Sequence, residues 1–287
     1  RMSSKQTFYE ELRESVTGEI STDKATRDFF ATDGSVFSAL PEAVFYPENE
    51  ADVSELVRIV EERAVNGEMH PITARGKGTD QGGGALGSGI MMAFPAHMNH
   101  FLSYDKNTVT VQPGMIYKDL QHLLHSHGRF LPPYPASIDF ATIGGAVANN
   151  SAGEKTVKYG MTRDYVESLR VVLSNGEVIE TRRLSAKELA IKQRQTDFEG
   201  HIYRNVDYLI EENWDDIAQA FPRVSKNSAG YDLWHVKGSD GSFDLSQLIV
   251  GSQGTLGIVS EVTMRHVAWS PKNHLIVGYF ESMEKAA

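Results

Sequence analysis

The feature that most constrains this chain is a run of glycines after a short apolar segment. Seven of the fourteen residues from Gly76 to Gly89 are glycine. Glycine reaches positive φ and lets the backbone approach a ligand closely, at a cost in conformational entropy. Serial backbone N–H groups in such a loop can form an anion-binding nest, although glycine density alone fits a flexible surface loop equally well. The loop is neither a Rossmann nor a P-loop fingerprint, because its spacing is G-x-G-x-x-x-G and Gly78 stands where a P-loop has its hydroxyl residue.

The amino-acid composition excludes several classes of function. The 287 residues contain no cysteine, which excludes disulfides, thiolate metal sites, iron–sulfur ligation by this chain and a cysteine nucleophile. The formal net charge of −10 argues against a nucleic-acid partner. No apolar run approaches the ~20 residues of a transmembrane helix, and HExxH and GxSxG motifs are missing from the sequence. The length predicts about two domains.

The first third of the chain reads as a strand–helix–strand unit. A helix is predicted near Thr7–Val16, followed by a strand at Ala43–Tyr46. Asn49 is a suitable N-cap for the next helix, whose apolar residues follow helical spacing. A second strand is predicted at His70–Ala74, and the helix between the two strands favours a parallel pair.

Later segments predict a hairpin and a partial unit at the end. Asn175-Gly176 separates two apolar runs, which is the strongest short-range hairpin signal. Leu275–Phe280 is predicted as a strand, and Ser282 as the cap of a helix that starts after it. Because the chain ends within that first turn, we expect the polypeptide to be a fragment of a longer protein.

Two further glycine motifs follow the first loop. Thr142–Gly145 precedes Asn149, Asn150 and Gly153, and a third motif spans Gly251–Val259. Paired glycines beside small residues permit close backbone approach to a ligand. Each motif alone also fits a tight turn or a glycine-rich strand entry.

Together and in this order, the motifs resemble the FAD-binding domain of the vanillyl-alcohol-oxidase-type flavoproteins. The resemblance is strongest to the D-2-hydroxy-acid dehydrogenases, namely D-lactate dehydrogenase, the glycolate oxidase flavin subunit and D-2-hydroxyglutarate dehydrogenase. The motifs that carry it are Phe45-Tyr46-Pro47, Arg75–Gly82, Val111–Gly114, Pro135-Ala136-Ser137, Thr142–Gly145, Asn149–Gly153, Lys158-Tyr159-Gly160, Ala229–Leu233 and Gly251–Val259. They span roughly residues 25–280, nearly the whole chain.

The resemblance implies an α+β fold of two subdomains with FAD between them and a C-terminal cap domain that is largely missing. It divides the chain into an N-terminal extension (1–40), FAD-binding subdomain 1 (41–105), FAD-binding subdomain 2 (106–270) and the truncated start of the substrate, or cap, domain (271–287).

The resemblance also implies a set of cofactor-binding residues. Around the pyrophosphate it places Arg75, Gly76, Lys77, Gly78, Thr79, Asp80, Gln81 and Gly82. Along the ribityl chain and flavin it places Pro135, Ser137, Thr142, Ile143, Gly144 and Gly145, with Asn149, Gly153, Tyr159 and Gly160 lining the same cleft. Near the adenine side or the flavin edge it places Gln253, Gly254, Ile258 and Val259.

FAD is expected to be bound non-covalently. Some members of the resembled family tether the flavin through a histidine or cysteine. Here the glycine loop carries Thr79 and Asp80, the chain has no cysteine, and His70 and His97 do not match the usual tether position.

The remaining histidines are interpreted as structural. His122 and His125 can share a helix face, beside His127. A metal site also needs a third ligand in the right geometry, and surface or core histidines are commoner, so no metal site is predicted. His235 could face a substrate cleft, but a structural role is favoured.

By resemblance, the full-length protein transfers hydride from a D-2-hydroxy acid to FAD. The family's cap supplies the substrate-binding arginines and the catalytic base, so no catalytic residue is assigned here and the fragment alone is expected to be inactive. Electrons would pass to a quinone, a cytochrome, an iron–sulfur centre or an electron-transfer flavoprotein. The expected location is cytoplasmic, or peripheral to a membrane for the full-length protein.

Other functions stay open at this point. One is a FAD-binding, non-catalytic subunit of a larger oxidase. Another is a different FAD enzyme of the same fold, such as an alcohol oxidase, an aldonolactone oxidase or an ether-lipid synthase. If the fold assignment were wrong, the default would be a binding protein whose glycine loops hold no cofactor.

Overall fold

The computed structural model describes residues 4–272 and 274–287. The strands are β1 (Glu19–Ser21), β2 (Ala43–Tyr46), β3 (Ile72–Arg75), β4 (Ile90–Ala93), β5 (Phe101–Tyr104), β6 (Thr108–Val111), β7 (Arg129–Phe130), β8 (Val166–Val172), β9 (Val178–Leu184), β10 (Phe243–Asp244), β11 (Ile258–Arg265) and β12 (Val267–Ala268). The helices are α1 (Ser4–Ser15), α2 (Lys24–Phe30), α3 (Glu50–Val65), α4 (Tyr117–Ser126), α5 (Ile143–Ala148), α6 (Thr156–Tyr159), α7 (Ala186–Arg194), α8 (Phe198–Glu212), α9 (Trp214–Gln219), α10 (Ser246–Ile249) and α11 (Met283–Ala286), with 3₁₀ turns at Phe94–Ala96 and Thr162–Tyr165. Within these ranges, no helix is long and apolar enough to cross a membrane.

The first sheet has the strand order β1-β2-β4-β3. The sequence predicts that the strands on either side of α3 pair with each other, and this is wrong in one respect. β2 and β3 are parallel, but β4 lies between them and pairs with both. All four residues of β4 are buried, as expected of a continuously apolar strand covered on both faces.

The helix between β2 and β3 begins as predicted. Asn49 is the N-cap of α3, and its side chain accepts a hydrogen bond from the backbone of Asp52. The apolar face of α3 packs in one core with Phe8 and Leu12 of the predicted N-terminal helix, which the structure shows as α1. Full burial of each such side chain stabilises the fold by roughly 1.5–3 kcal/mol.

The second sheet is antiparallel throughout, with the strand order β10-β9-β8-β11-β6-β5. The predicted hairpin is confirmed as β8 and β9, and its Gly176 has φ +82° at the turn. Helices α4 and α5 cover the sheet and share its main core. A separate short pair joins β7 to β12.

The two sheets are joined by a shared core and by a polar contact. Val172 and Ile258 of the second sheet are buried in the core of the first. Glu50 of α3 accepts hydrogen bonds from Arg170 Nη2 (2.6 Å) and from the Ser260 hydroxyl (2.6 Å). The Arg170 guanidinium lowers the pKa of Glu50 against the opposing effect of burial. The carboxylate therefore stays ionised and fixes α3 on the second sheet.

The ends of the chain differ in how they pack. β1 belongs to the first sheet, so part of the predicted N-terminal extension lies within that unit, and β5 belongs to the second sheet. The predicted strand at Leu275–Phe280 is wrong, because residues 275–280 form no strand in the described structure and are exposed. A strand needs a neighbour to pair with, and local sequence cannot supply one. The predicted cap is confirmed, since the Ser282 side chain accepts from the backbone of Lys285 at the start of α11.

Asp52 is a buried hydrogen-bond hub that ties the N-terminal segment to α3. Its carboxylate accepts from the backbone N–H groups of Thr17 (2.8 Å), Gly18 (2.9 Å) and Glu48 (2.9 Å). We expect Asp52→Ala to lower the free energy of unfolding by about 3 kcal/mol, since three backbone donors lose their acceptor at roughly 1 kcal/mol each. Urea unfolding followed by circular dichroism measures this. Glu61→Ala, an exposed change on the same helix, is the control, and equal losses for both variants would contradict the assignment.

Candidate functional site

A cleft between the two sheets is lined by both of them. Its empty space, counting the open mouth, is about 1070 Å³. Of the residues predicted from the sequence, the lining contains Arg75, Gly76, Lys77, Gly78, Thr79, Asp80, Pro135, Ser137, Thr142, Gly144, Gly145, Asn149, Gln253, Gly254 and Val259. Three glycine motifs that are far apart in the chain therefore meet at one cleft.

The glycine loop after β3 has no room for side chains at two positions. Gly78 has φ +69°, and a Cβ built on it would lie 2.4 Å from Nη2 of Arg75. A Cβ on Gly76 would lie 2.2 Å from Oγ1 of Thr142, across the cleft wall. Both distances are shorter than side chains tolerate, so the loop takes this path only with glycine at these two positions.

The same loop presents free hydrogen-bond donors. Within the described residues, the backbone N–H groups of Lys77, Gly78, Thr79 and Asp80 donate to no protein acceptor. The next part of the loop is held by Asp80. Its carboxylate accepts from the N–H groups of Gly82 (2.9 Å) and Gly84 (2.8 Å). Several adjacent unpaired N–H groups at a cleft form an anion-binding site, and this donor set fits a diphosphate.

Arg75 lies beneath the loop and is buried. Its guanidinium donates to the carbonyl oxygens of Thr32 (2.8 Å), Phe30 (3.2 Å) and Ala85 (3.3 Å). Burial lowers the pKa of the Arg75 guanidinium, and the nearby Asp33 carboxylate opposes that shift. The side chain thus holds the loop in place through backbone contacts on both sides of it.

The second wall is the start of α5. The Thr142 side chain caps this helix and accepts from the backbone of Gly145. The Gly144 N–H donates to the Pro113 carbonyl (2.8 Å), and a Cβ on Gly144 would lie 2.6 Å from the Pro113 side chain. Here the glycines let the helix pack closely on the Pro113 turn, which brings Thr142 to the loop.

The third wall comes from the segment before β11. Gln253 has φ +53°, an uncommon conformation for a residue with a side chain. Its backbone N–H donates to the Ala148 carbonyl (2.9 Å), which holds the segment against α5. Gly254 has φ +77° and open space where a Cβ would stand. Strained backbone of this kind clusters at ligand sites.

Some predicted residues lie outside the cleft lining. They are Gln81, Gly82, Ile143, Gly153, Tyr159, Gly160 and Ile258. Ile143 and Ile258 are buried in the two cores, and the Tyr159 ring packs edge-on against Phe130. A Cβ on Gly153 would lie 1.9 Å from the Tyr134 carbonyl oxygen, so this glycine allows a close backbone crossing. Their assignment to the cofactor stays a prediction.

Other residues that line the cleft are not predicted from the sequence. They are Ala74, Gly84, Ala85, Phe94, Pro113, Ala141, Ala146, Ala148, Ser151, Ile249, Ser252 and Gly257. Ser252 and Gly257 stand inside the third glycine motif, so extending the prediction to the whole motif would have found them. Phe94 gives no such signal, because a buried phenylalanine beside a strand is usually core.

His235 lies in a second, more open cleft and not in the lining of the first. Its Nδ1 is 2.7 Å from Oδ2 of the buried Asp232, which pairs with the buried Arg163 at 2.8 Å. Arg163 also donates to the Val250 carbonyl (2.8 Å), and its backbone N–H donates to the Asn150 side chain. This ion pair therefore supports the segments that carry two walls of the first cleft.

The chain is similar to known proteins across almost its whole length. Residues 41–182 match a family described as FAD binding domain. A D-2-hydroxyglutarate dehydrogenase of Pantoea ananatis is 35% identical over 263 residues, covering 90% of this chain and 25% of that protein. Glycolate oxidase subunit GlcD of Bacillus subtilis is 32% identical over 255 residues, covering 88% of this chain and 42% of that protein.

A solved structure of an alkyldihydroxyacetonephosphate synthase superposes with a TM-score of 0.63 at 21% identity, covering 93% of this chain and 41% of that one. At this identity the likeness shows the fold alone, and it confirms the α+β fold class expected from the sequence. The chain spans between about a quarter and under half the length of these curated relatives.

Proposed function

Residues 41–182 of this chain belong to the family of FAD binding domains, and from this premise we propose that the chain is the flavin-holding part of a dehydrogenase of D-2-hydroxy acids. The resemblance read from the sequence is thereby confirmed at the level of the family. The observation that carries the proposal is the set of four backbone N–H groups that lack a protein acceptor in the described residues, at the cleft where three glycine motifs meet. The relatives named as D-2-hydroxyglutarate dehydrogenase and glycolate oxidase subunit support the class of substrate.

In this proposal each wall of the cleft has a separate task. The N–H groups of the Gly76–Gly82 loop hold the FAD diphosphate, and the exposed Lys77 adds positive charge beside it. Pro135, Ser137 and the Thr142–Gly145 turn line the ribityl chain and flavin. The segment from Gln253 to Val259 meets the adenine side or the flavin edge. The apolar lining keeps water from the cofactor and orients it.

Bound FAD would supply the redox chemistry by accepting a hydride from the carbon that bears the substrate hydroxyl, which leaves a 2-oxo acid. The residues of this chain bind and orient the cofactor, and none is assigned as the catalytic base. Residues 271–287 are proposed as the start of a substrate-binding cap. The electron acceptor is proposed to be a quinone, a cytochrome, an iron–sulfur centre or an electron-transfer flavoprotein. The cytoplasmic location stays a prediction.

A FAD-binding subunit without turnover of its own is the second candidate. The relative from Bacillus subtilis is named as a subunit of glycolate oxidase, which favours this alternative over an unrelated flavin enzyme. Both candidates require the same cofactor site. They differ in whether the assembled protein carries a substrate site on the same polypeptide.

Anaerobic reduction of the bound flavin tests the substrate class. The FAD-loaded protein, as this chain and as any longer polypeptide that contains it, is mixed with D-2-hydroxyglutarate, D-lactate and glycolate. The proposal predicts loss of the yellow flavin absorption with a D-2-hydroxy acid for the longer polypeptide, and no rapid loss for this chain alone. A longer polypeptide that binds FAD but is reduced by none of the three would contradict the proposed substrate class.

FAD is proposed to be held non-covalently. The cleft lining offers the hydroxyl of Thr79 and the carboxylate of Asp80 and no histidine or cysteine. His70 is buried in the first sheet's core, where its ring stacks on Phe8 at 4.0 Å. We expect acid precipitation to leave all flavin in the supernatant. Flavin retained on the denatured chain, with a mass increase equal to that of FAD, would contradict this.

A further inference from the structure

Residues 31–39 form a closed loop, here called the strap, which has no part in the cleft lining. Its ends meet where the Ala39 N–H donates to the Ala31 carbonyl (2.9 Å), inside a bridge between Thr32 and Ser38. The strap contacts the glycine loop directly, because the Gly34 N–H donates to the Gly78 carbonyl (2.8 Å). The backbone of Gly34 is so close that a Cβ there would lie 2.8 Å from the Asp80 carbonyl oxygen.

Arg75 connects the strap to the far side of the same loop. Its guanidinium donates to Thr32 in the strap and to Ala85 at the end of the glycine run. The Arg75 side chain is buried, and its bond to the Thr32 carbonyl is 2.8 Å long. One cation therefore links the strap to the far end of the glycine loop.

The strap and Arg75 each hold one unpaired polar atom. Asp33 Oδ2 and Arg75 Nε are both buried without a hydrogen-bond partner, while Asp33 Oδ1 accepts from the Ser35 N–H (2.8 Å). A carboxylate oxygen accepts and a guanidinium Nε donates. Leaving both unpaired out of water costs free energy, which a hydrogen bond between them would recover.

From this juxtaposition, and resting on the proposed FAD site, we propose that the strap is a latch on the diphosphate loop. When an anionic diphosphate seats on the loop, the strap moves inward until Asp33 Oδ2 accepts from Arg75 Nε, and the closed strap slows release of the cofactor. Asp33 and Arg75 are then positioning residues that act through the glycine loop.

The coupling has a physical route through one peptide group. The Gly78 carbonyl, which accepts from the strap, belongs to the same peptide unit as the Thr79 N–H, which has no protein acceptor in the described residues. Thr79 lines the cleft. A hydrogen bond from that N–H to an anion polarises the unit and makes its carbonyl a stronger acceptor. The diphosphate thereby strengthens the bond to Gly34. By linkage, an intact strap must tighten diphosphate binding by the same factor.

Asp33→Asn tests the latch, because it keeps the shape of the side chain and removes its charge. Either orientation of the new amide puts a donor in place of one carboxylate oxygen. We expect FAD to dissociate about tenfold faster, a change of ~1.4 kcal/mol, when release is followed by flavin fluorescence. The control is Asp28→Asn, which removes the same charge from an exposed pair with Lys24 on the preceding helix; its dissociation rate should equal that of the wild type.

Hydrogen exchange supplies a second readout, on the wild-type chain and on the Asp33→Asn variant. We expect FAD to slow amide exchange across residues 31–39, and Asp33→Asn to lose that protection while it still binds FAD. Wild-type protein that binds FAD with unchanged exchange in the strap, or an Asp33→Asn variant with the wild-type dissociation rate, would overturn the latch and leave the FAD site intact. Folded wild-type protein that binds no FAD would overturn the proposed function itself.

Discussion

Replacing Gly78 with valine is expected to weaken FAD binding by about 100-fold or more. Gly78 has φ +69°, which a β-branched residue adopts only under strain, and the new Cβ would lie 2.4 Å from Arg75 Nη2. Relief of that contact must move the loop or Arg75, so the free N–H groups no longer converge. Losing two charge-assisted hydrogen bonds at roughly 1.5 kcal/mol each amounts to a factor of about 100.

The control for this substitution is Gly67→Val, at the end of α3. Gly67 has φ +84° and nothing within 4 Å of its Cβ position, so the change imposes a similar backbone strain away from the cleft. Both variants should lose stability, but only the loop variant should lose FAD affinity in a fluorescence titration of folded protein. Equal FAD affinity for both variants would remove the glycine loop from the cofactor site.

Breaking the buried ion pair behind the cleft should have the largest effect on stability. In Asp232→Ala the guanidinium of Arg163 stays buried without its partner, at a cost of about 3–5 kcal/mol. Both side chains are more than nine-tenths buried, so water cannot replace the carboxylate without local opening. FAD affinity should fall as well, because Arg163 also holds the Asn150 and Val250 segments of the cleft walls.

Urea unfolding measures the loss of stability, with Asp215→Ala as an exposed control of the same chemistry. The double variant Arg163→Met/Asp232→Leu should be less destabilised than either single change, since it removes both charges from the interior. If Asp232→Ala lowered the free energy of unfolding by less than about 1 kcal/mol, the ion pair would contribute little to stability. A double variant that is worse than both singles would point to packing and not to charge.

Much of the local structure could be predicted from the sequence, because its signals are chemical and short-range. Side-chain type and position alone predict that Asn49 and Ser282 are helix caps. Asn175-Gly176 predicted a hairpin because its backbone twist suits the strands on either side. The glycine loop is predicted from the density of glycine after a strand, and the structure gives the reason for one of these glycines, since Gly78 has φ +69°.

Contacts between segments that are far apart in the sequence could not be predicted in the same way. The residues of Ala43–Tyr46 and His70–Ala74 give no indication that a third strand, β4, lies between these two segments. Leu275–Phe280 has the composition of a strand but no neighbour to pair with in the described structure. The Arg75–Asp33 juxtaposition joins residues 42 positions apart in the chain, and only the folded arrangement brings them together. The sequence assigns the glycine motifs to one cleft only through the resemblance to a family, because their spacing does not show that they meet.

A calorimetric titration of the folded chain with FAD and with riboflavin tests whether the cleft binds FAD through its diphosphate. The two ligands share the flavin ring and ribityl chain, but riboflavin lacks the diphosphate and adenosine. With adenosine diphosphate as a third ligand, the contribution of the diphosphate end is measured separately. We expect one FAD to bind per chain, riboflavin to bind at least 100-fold more weakly, and adenosine diphosphate to compete with FAD. Riboflavin binding as tightly as FAD, or no FAD binding by folded protein, would contradict this binding mode.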